Sequence, residues 1–207
     1  MATPMEANLN LELCDGKCEK VDPTKYRSLI GSLLHLSINT RPDICYAVNR
    51  LAQFNQSPHI EHWTAVKRIL RYLKGTMNKC LYFKKADGPL IAYVDADWAS
   101  DKKDRRSYTG YCFKLANACV AWGSKKQSVV AQSTAESEYA AISSAANEAK
   151  YLKQLIEEIG YPEYAPSPLV IYNDNTSAIK LTENPMFHKQ TKHIGIRVHN
   201  VRQQVEE

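Results

Sequence analysis

The stretch LIAYVDADWASD, residues 90–101, decides how the rest of the chain is read. Leu90, Ile91, Ala92, Tyr93 and Val94 form an apolar run of strand length. The run ends on Asp95, and Asp97 follows two positions later. A carboxylate at the tip of a buried strand loses hydration unless it finds a partner. Asp95 is therefore either a surface turn former or one ligand of a cation.

Two other acidic residues share its context. Asp174 follows the apolar stretch LVIYN, and Glu138 lies in STAESEYAAI, in the first turns of a long helical pattern. In α/β sheets, ligands collect beyond the carboxyl ends of strands. Two strand-end aspartates and a glutamate from a crossing helix can meet there. Oxygen ligands of this kind suit a hard cation, Mg²⁺ or Mn²⁺. Two such ions about 4 Å apart serve phosphodiester hydrolysis. Each residue also has a plainer reading: an aspartate after a strand shapes a turn, and Asp174, before Asn175 and Thr176, is placed to cap a short helix. Asp97 reads as a loop residue. Glu136 and Glu138 are too close in a helix to share a face. Ala141, Ile142 and Ala145 lie three, four and seven positions beyond Glu138, which puts Glu138 on the packed face.

The periodicity around these residues predicts the elements. Asp22, Pro23 and Thr24 open a helix that buries Tyr26, Leu29, Ile30, Leu33 and Leu34, and residues 39–43 end it. A second helix carries Ile44, Val48 and Leu51. A third runs from about Pro58 to Lys74, with Val66, Ile69, Leu70 and Leu73 inward and Gly75 as its cap. Its Lys67, Arg71 and Lys74 form a basic stripe, which is a solvated face or a phosphate contact. Beyond Gly75 the period changes to two. Strands are expected at residues 81–84, 90–94, 108–115 and 119–122, with a turn at Ala116, Asn117 and Ala118. A long helix at 134–159 ends before Gly160. A strand at 169–172, a helix at 176–182, the loop NPMFHKQTKH and a last helix at about 196–204 complete the chain. Helices on a mixed sheet make this an α/β chain. Residues 1–20 read as a flexible leader or the end of an upstream domain, 21–78 as a small helical segment and 79–207 as the α/β domain.

Composition sets outer limits. The 207 residues are 44% hydrophobic and 24% charged, which is ordinary for a globular protein. A net charge of +5 and a pI of about 8.8 allow an anionic partner without demanding one. Six cysteines show no zinc-knuckle spacing and read as free thiols of a reducing compartment. The first residues lack the apolar core of a signal peptide, and no run is long enough for a membrane span.

Several long motifs, in order, resemble the ribonuclease H domain of copia-type LTR retrotransposon polyproteins: YVDADWASDKKDRRSYTGYCF, WGSKKQSVVAQSTAESEYAAI, YNDNTSAI and NPMFHKQTKHIGIRVHNVRQQV. Upstream, YRSLIGSLLHLSINTRPDICYAVNRLAQF and HWTAVKRILRYLKGT resemble the tail of the reverse transcriptase region. The resemblance covers nearly the whole chain. It implies an RNase H-like mixed sheet flanked by helices, preceded by a helical connection or thumb-like segment. It also implies cutting of the RNA strand of an RNA–DNA hybrid with two Mg²⁺ or Mn²⁺ ions. The family's three carboxylates fall on Asp95, Glu138 and Asp174, the residues singled out by context. The resemblance further implies a polymerase domain upstream and an intracellular setting, in cytoplasmic virus-like particles and the nucleus, away from membranes.

Two departures matter. Where the family carries a fourth aspartate, this chain reads Lys192, His193, Ile194, Gly195, and glycine has no side chain with which to ligate a metal. His188 and His193 are auxiliary candidates, although imidazole replaces a carboxylate poorly on Mg²⁺. The chain also lacks the paired aspartates of a polymerase site. The alternative to a nuclease is an inactive RNase H fold that binds nucleic acid or tethers a polymerase. Lys102, Lys103, Arg105 and Arg106 beside the Asp95 loop, with Lys125 and Lys126, are the candidate phosphate contacts; of these, Arg105, Arg106, Lys125 and Lys126 are the nucleic-acid-binding expectation. A hybrid would be read by groove shape and 2′-hydroxyls. Trp98 and Trp122 are candidates for packing on sugars, or for the core.

Overall fold

A computed structural model describes residues 1–6, 9, 11 and 19–183. Cys14, Cys18, the loop NPMFHKQTKH with His188 and His193, Gly195 and the expected last helix lie outside the described residues. The chain divides into two compact units, Met1–Leu81 and Tyr82–Glu207.

The first unit is helical. Helix α1, Pro23–Asn39, starts where the Asp22 carboxylate accepts the Thr24 N–H at 2.8 Å and Pro23 presets φ. After a single 3-10 turn at Pro42–Ile44 comes α2, Cys45–Ala52; α3 spans Ile60–Gly75. Tyr26, Ile30, Leu33, Ile44, Val48, Leu51, Val66 and Ile69 form the core. The one polar atom Tyr26 takes inside is satisfied, because its hydroxyl donates to the Leu51 carbonyl at 2.9 Å. Two details of α3 differ from expectation. Leu70 is exposed, and Ala65 and Tyr72 complete the buried face instead. Gly75 is the last helical residue rather than the cap. Thr76 closes the helix, its N–H donating to Leu73 and its hydroxyl to the Tyr72 carbonyl. The Arg41 guanidinium then joins Thr76 to Asp43, which also accepts the Tyr72 hydroxyl at 2.6 Å.

The second unit is α/β. Strands β1 (Ile91–Asp97), β2 (Tyr108–Leu115), β3 (Ala118–Lys126) and β4 (Val170–Tyr172) form one sheet in the order β3-β2-β1-β4. The β1–β2 and β2–β3 pairs are antiparallel and β1–β4 is parallel. Helix α4, Thr134–Glu158, makes the crossover that a parallel pair requires, and α5 is Thr176–Glu183. Leu90, Ala92, Val94 and Phe113 of the sheet side meet Tyr139, Ala141, Ile142, Ala145 and Ala149 of α4. The alanines let the helix approach the sheet closely. This mixed sheet flanked by helices agrees with an RNase H-like fold.

The β2–β3 hairpin turns on Ala116 and Asn117, with φ of 48° and 64°. Left-handed backbone at both positions matches the twist of the strands, and Asn tolerates it better than Ala. A Cβ at Gly123 would lie 2.6 Å from the Tyr111 ring, so a larger residue there requires that ring to shift. The expected strand at residues 81–84 does not form. Tyr82 and Phe83 are 73% and 62% exposed, and among the described residues no strand pairs with this segment.

Candidate metal centre

Strand β1 places Asp95 opposite Gly110 on β2, and Asp174 follows the end of β4. Helix α4 supplies Glu138. Its start explains why Glu138 and not Glu136 reaches the sheet. Ser133 caps the helix by accepting the Glu136 N–H at 3.2 Å, and the Glu136 carboxylate turns back to accept the Gln132 N–H at 2.7 Å. Glu136 is thereby committed to the helix terminus. Glu138 points to the sheet, buried, between the exposed Asp95 and Asp174.

One carboxylate oxygen from each of Asp95, Glu138 and Asp174 lies within 4.8 Å of the other two. Burial raises the Glu138 pKa, and the negative charges of Asp95 and Asp174 add to the rise. The Asn173 amide and the Ala96 N–H oppose it by hydrogen bonding to the carboxylate, and the net shift is upward. The site thus concentrates more negative charge than its own donors balance. An all-oxygen donor set with that surplus fits a hard divalent cation.

Asn173 is the residue that sequence reasoning missed. Its Nδ2 donates to the Val94 carbonyl at 3.1 Å and to Glu138 Oε2 at 2.8 Å, joining β1 to α4. Its Oδ1 accepts the Asn175 N–H at 2.9 Å, so all three bonds fix the amide's orientation. Asn175 in turn caps α5 by accepting the Ala178 N–H at 3.0 Å. The cap of α5 is therefore Asn175, which leaves Asp174 to the cluster. The signal in the sequence was the pair of asparagines flanking Asp174 in YNDN.

The expected phosphate contacts separate into two groups. Arg105 and Lys125 are exposed, as are Lys102 and Lys103. Lys126 instead binds Asp101 at 2.5 Å and Asp104 at 2.9 Å, tying the loop after β1 to β3. Arg106 lies 3.7 Å from Asp104. Asp97 is exposed at the end of β1. Trp98 is 46% exposed, and its indole N–H donates to the Ala131 carbonyl at 3.2 Å, pinning the loop to the approach of α4. Trp122 is half-buried on β3.

No family model and no solved structure matches the chain. Curated relatives match along its whole length. It is 45% and 42% identical to the retrovirus-related Pol polyproteins from transposons RE1 and RE2 of Arabidopsis thaliana, and 40% identical to that from transposon TNT 1-94 of Nicotiana tabacum. Each comparison covers 100% of this chain but only 14% of the two Arabidopsis proteins and 16% of the tobacco one. An α/β domain with three clustered carboxylates is thus joined by sequence to a class of transposon polyproteins. The chain belongs to the retrovirus-related Pol polyproteins of copia-type transposons and corresponds to their C-terminal part. Among the described residues, no helix is long and apolar enough to cross a membrane.

Proposed function

We propose that the second unit is a metal-dependent endonuclease that cuts the RNA strand of an RNA–DNA hybrid during reverse transcription of a retrotransposon. The observation that supports this reading most is the clustering of the Asp95, Glu138 and Asp174 oxygens within 4.8 Å. These three residues would hold Mg²⁺ or Mn²⁺. When bound, a pair of such ions supplies an activated water and positive charge at the leaving oxygen. Glu138 is the fixed member, held by Asn173, while Asp95 and Asp174 are exposed and would face the hybrid. Arg105 and Lys125, exposed near β1 and on β3, would take hybrid phosphates and set its register. A polymerase domain upstream is the natural partner of such a nuclease.

Gly195 favours a second reading, a fold that holds a hybrid without cutting it. One experiment separates the two: a labelled hybrid incubated with the chain and Mg²⁺ or Mn²⁺, beside Asp95→Asn and Gly195→Asp. The expected outcome is weak cutting by the wild type, none by Asp95→Asn and faster cutting by Gly195→Asp. Wild type indistinguishable from Asp95→Asn in both metals, with hybrid still bound, overturns the nuclease reading.

A further inference from the structure

The sheet face turned away from α4 carries a second group of reactive side chains. In-register pairing sets Tyr172, Tyr93, Cys112 and Trp122 side by side across all four strands. In the next row, Lys114 pairs with Cys119, and its ammonium lies 5.3 Å from the centre of the Tyr93 ring. The register shifts between Phe113 and Lys114, and this irregularity draws Cys119 diagonally toward Cys112. Their sulfurs stand 3.3 Å apart, and both residues are half-buried. A disulfide bond is about 2 Å long. Closing the remaining gap takes a side-chain rotation and a small strand adjustment, which the bulged register can absorb.

We propose that Cys112 and Cys119 are an oxidation site, a dithiol that closes to an intrachain disulfide on exposure to a peroxide. In the first step one sulfur attacks the O–O bond, takes one oxygen as a sulfenic acid and releases a water. The second sulfur then attacks the first, the S–S bond forms and the S–O bond breaks. The hydroxyl leaves as a second water with the proton of the second thiol. Two thiols lose two electrons, and one hydrogen peroxide becomes two waters. Burial and the adjoining Cys112 push the Cys119 thiol up to about 12. Cys80 is exposed in the other unit and serves as the internal reference thiol.

The test treats the whole native chain with hydrogen peroxide, blocks remaining thiols and maps tryptic peptides without reduction. Cleavage after Lys114 separates residues 107–114, with Cys112, from residues 115–125, with Cys119. The expected product is these two peptides joined, lighter by two hydrogens than their sum, and restored by dithiothreitol. Linking should be at least tenfold faster in the native chain than in urea, since the fold and not the short sequence separation brings the sulfurs together. Cys112→Ser should leave Cys119 open to alkylation. Equal linking rates in native and unfolded chains, or separate oxidation of both thiols without a link, would overturn the proposal.

Discussion

Glu138 lies under two other carboxylates with its own side chain buried, and its pKa is raised first by that burial. The folded chain therefore holds a proton at pH values where the unfolded chain has already released it. Stability from this group falls as pH rises from the ordinary carboxyl value through the raised one, and the penalty stays in force above both. Glu138→Gln should remove that penalty. In chelator at neutral pH the variant should melt higher than wild type, by about 2–4 °C for each kcal/mol gained at this chain length. Near pH 4 and below the gain should shrink. A variant that melts lower at neutral pH would show that the Asn173 and Ala96 bonds outweigh the repulsion. Asn173 works through Glu138 as a positioning residue, so Asn173→Ala should weaken metal affinity roughly 10–100-fold, measured by calorimetry. An unchanged affinity would remove Asn173 from the site. The three carboxylates were legible because strand ends and helix phase place them. Asn173 was not, because an asparagine after a strand is an ordinary turn residue until its partners are seen.

At the scale of elements, the loop between β1 and β2 hangs on one lysine. Burial raises the Asp101 carboxyl, but the Lys126 ammonium and the N–H groups of Lys103 and Asp104 more than offset it, so the pKa is lowered. A lowered carboxylate contributes stability that is present above the ordinary carboxyl value and is lost as pH falls through the folded one. Loop order should thus persist at neutral pH and fail in acid below about pH 4. Lys126→Met should free the loop at neutral pH. Hydrogen exchange at the Arg105 amide, which donates to the Asp101 backbone carbonyl at 2.8 Å, should accelerate about tenfold for each 1.4 kcal/mol lost. Unchanged protection would mean that the Trp98 contact holds the loop alone. Lys126 reads as a phosphate ligand from sequence because a basic cluster does not reveal the acids that fold onto it. The helices up to α5 and the β2–β3 hairpin were legible because their periods and turn residues are local. Residues 81–84 alternate like a strand, yet a strand needs a neighbour, and sequence alternation carries no information about whether one is there.

For the whole molecule, the two compact units predict where a bound cation is felt. All three carboxylates belong to the second unit, and they come from β1, α4 and the turn after β4, far apart in sequence. A cation that binds them only when folded adds stability by mass action, about 2.7 kcal/mol at a hundred times its dissociation constant. That gain is shared by the elements that must be in place to form the site, and α1, α2 and α3 supply none of its ligands. Saturating Mg²⁺ or Mn²⁺ should therefore slow hydrogen exchange in β1, the first turns of α4 and residues 173–176. Exchange in α1, α2 and α3 should stay as it was, and a chelator should reverse the change. Asp95→Asn should abolish most of the protection, because two ligands from β4's turn and α4 no longer draw β1 into the site. Equal slowing in both units, or slowing that survives Asp95→Asn, would place the cation elsewhere on the chain.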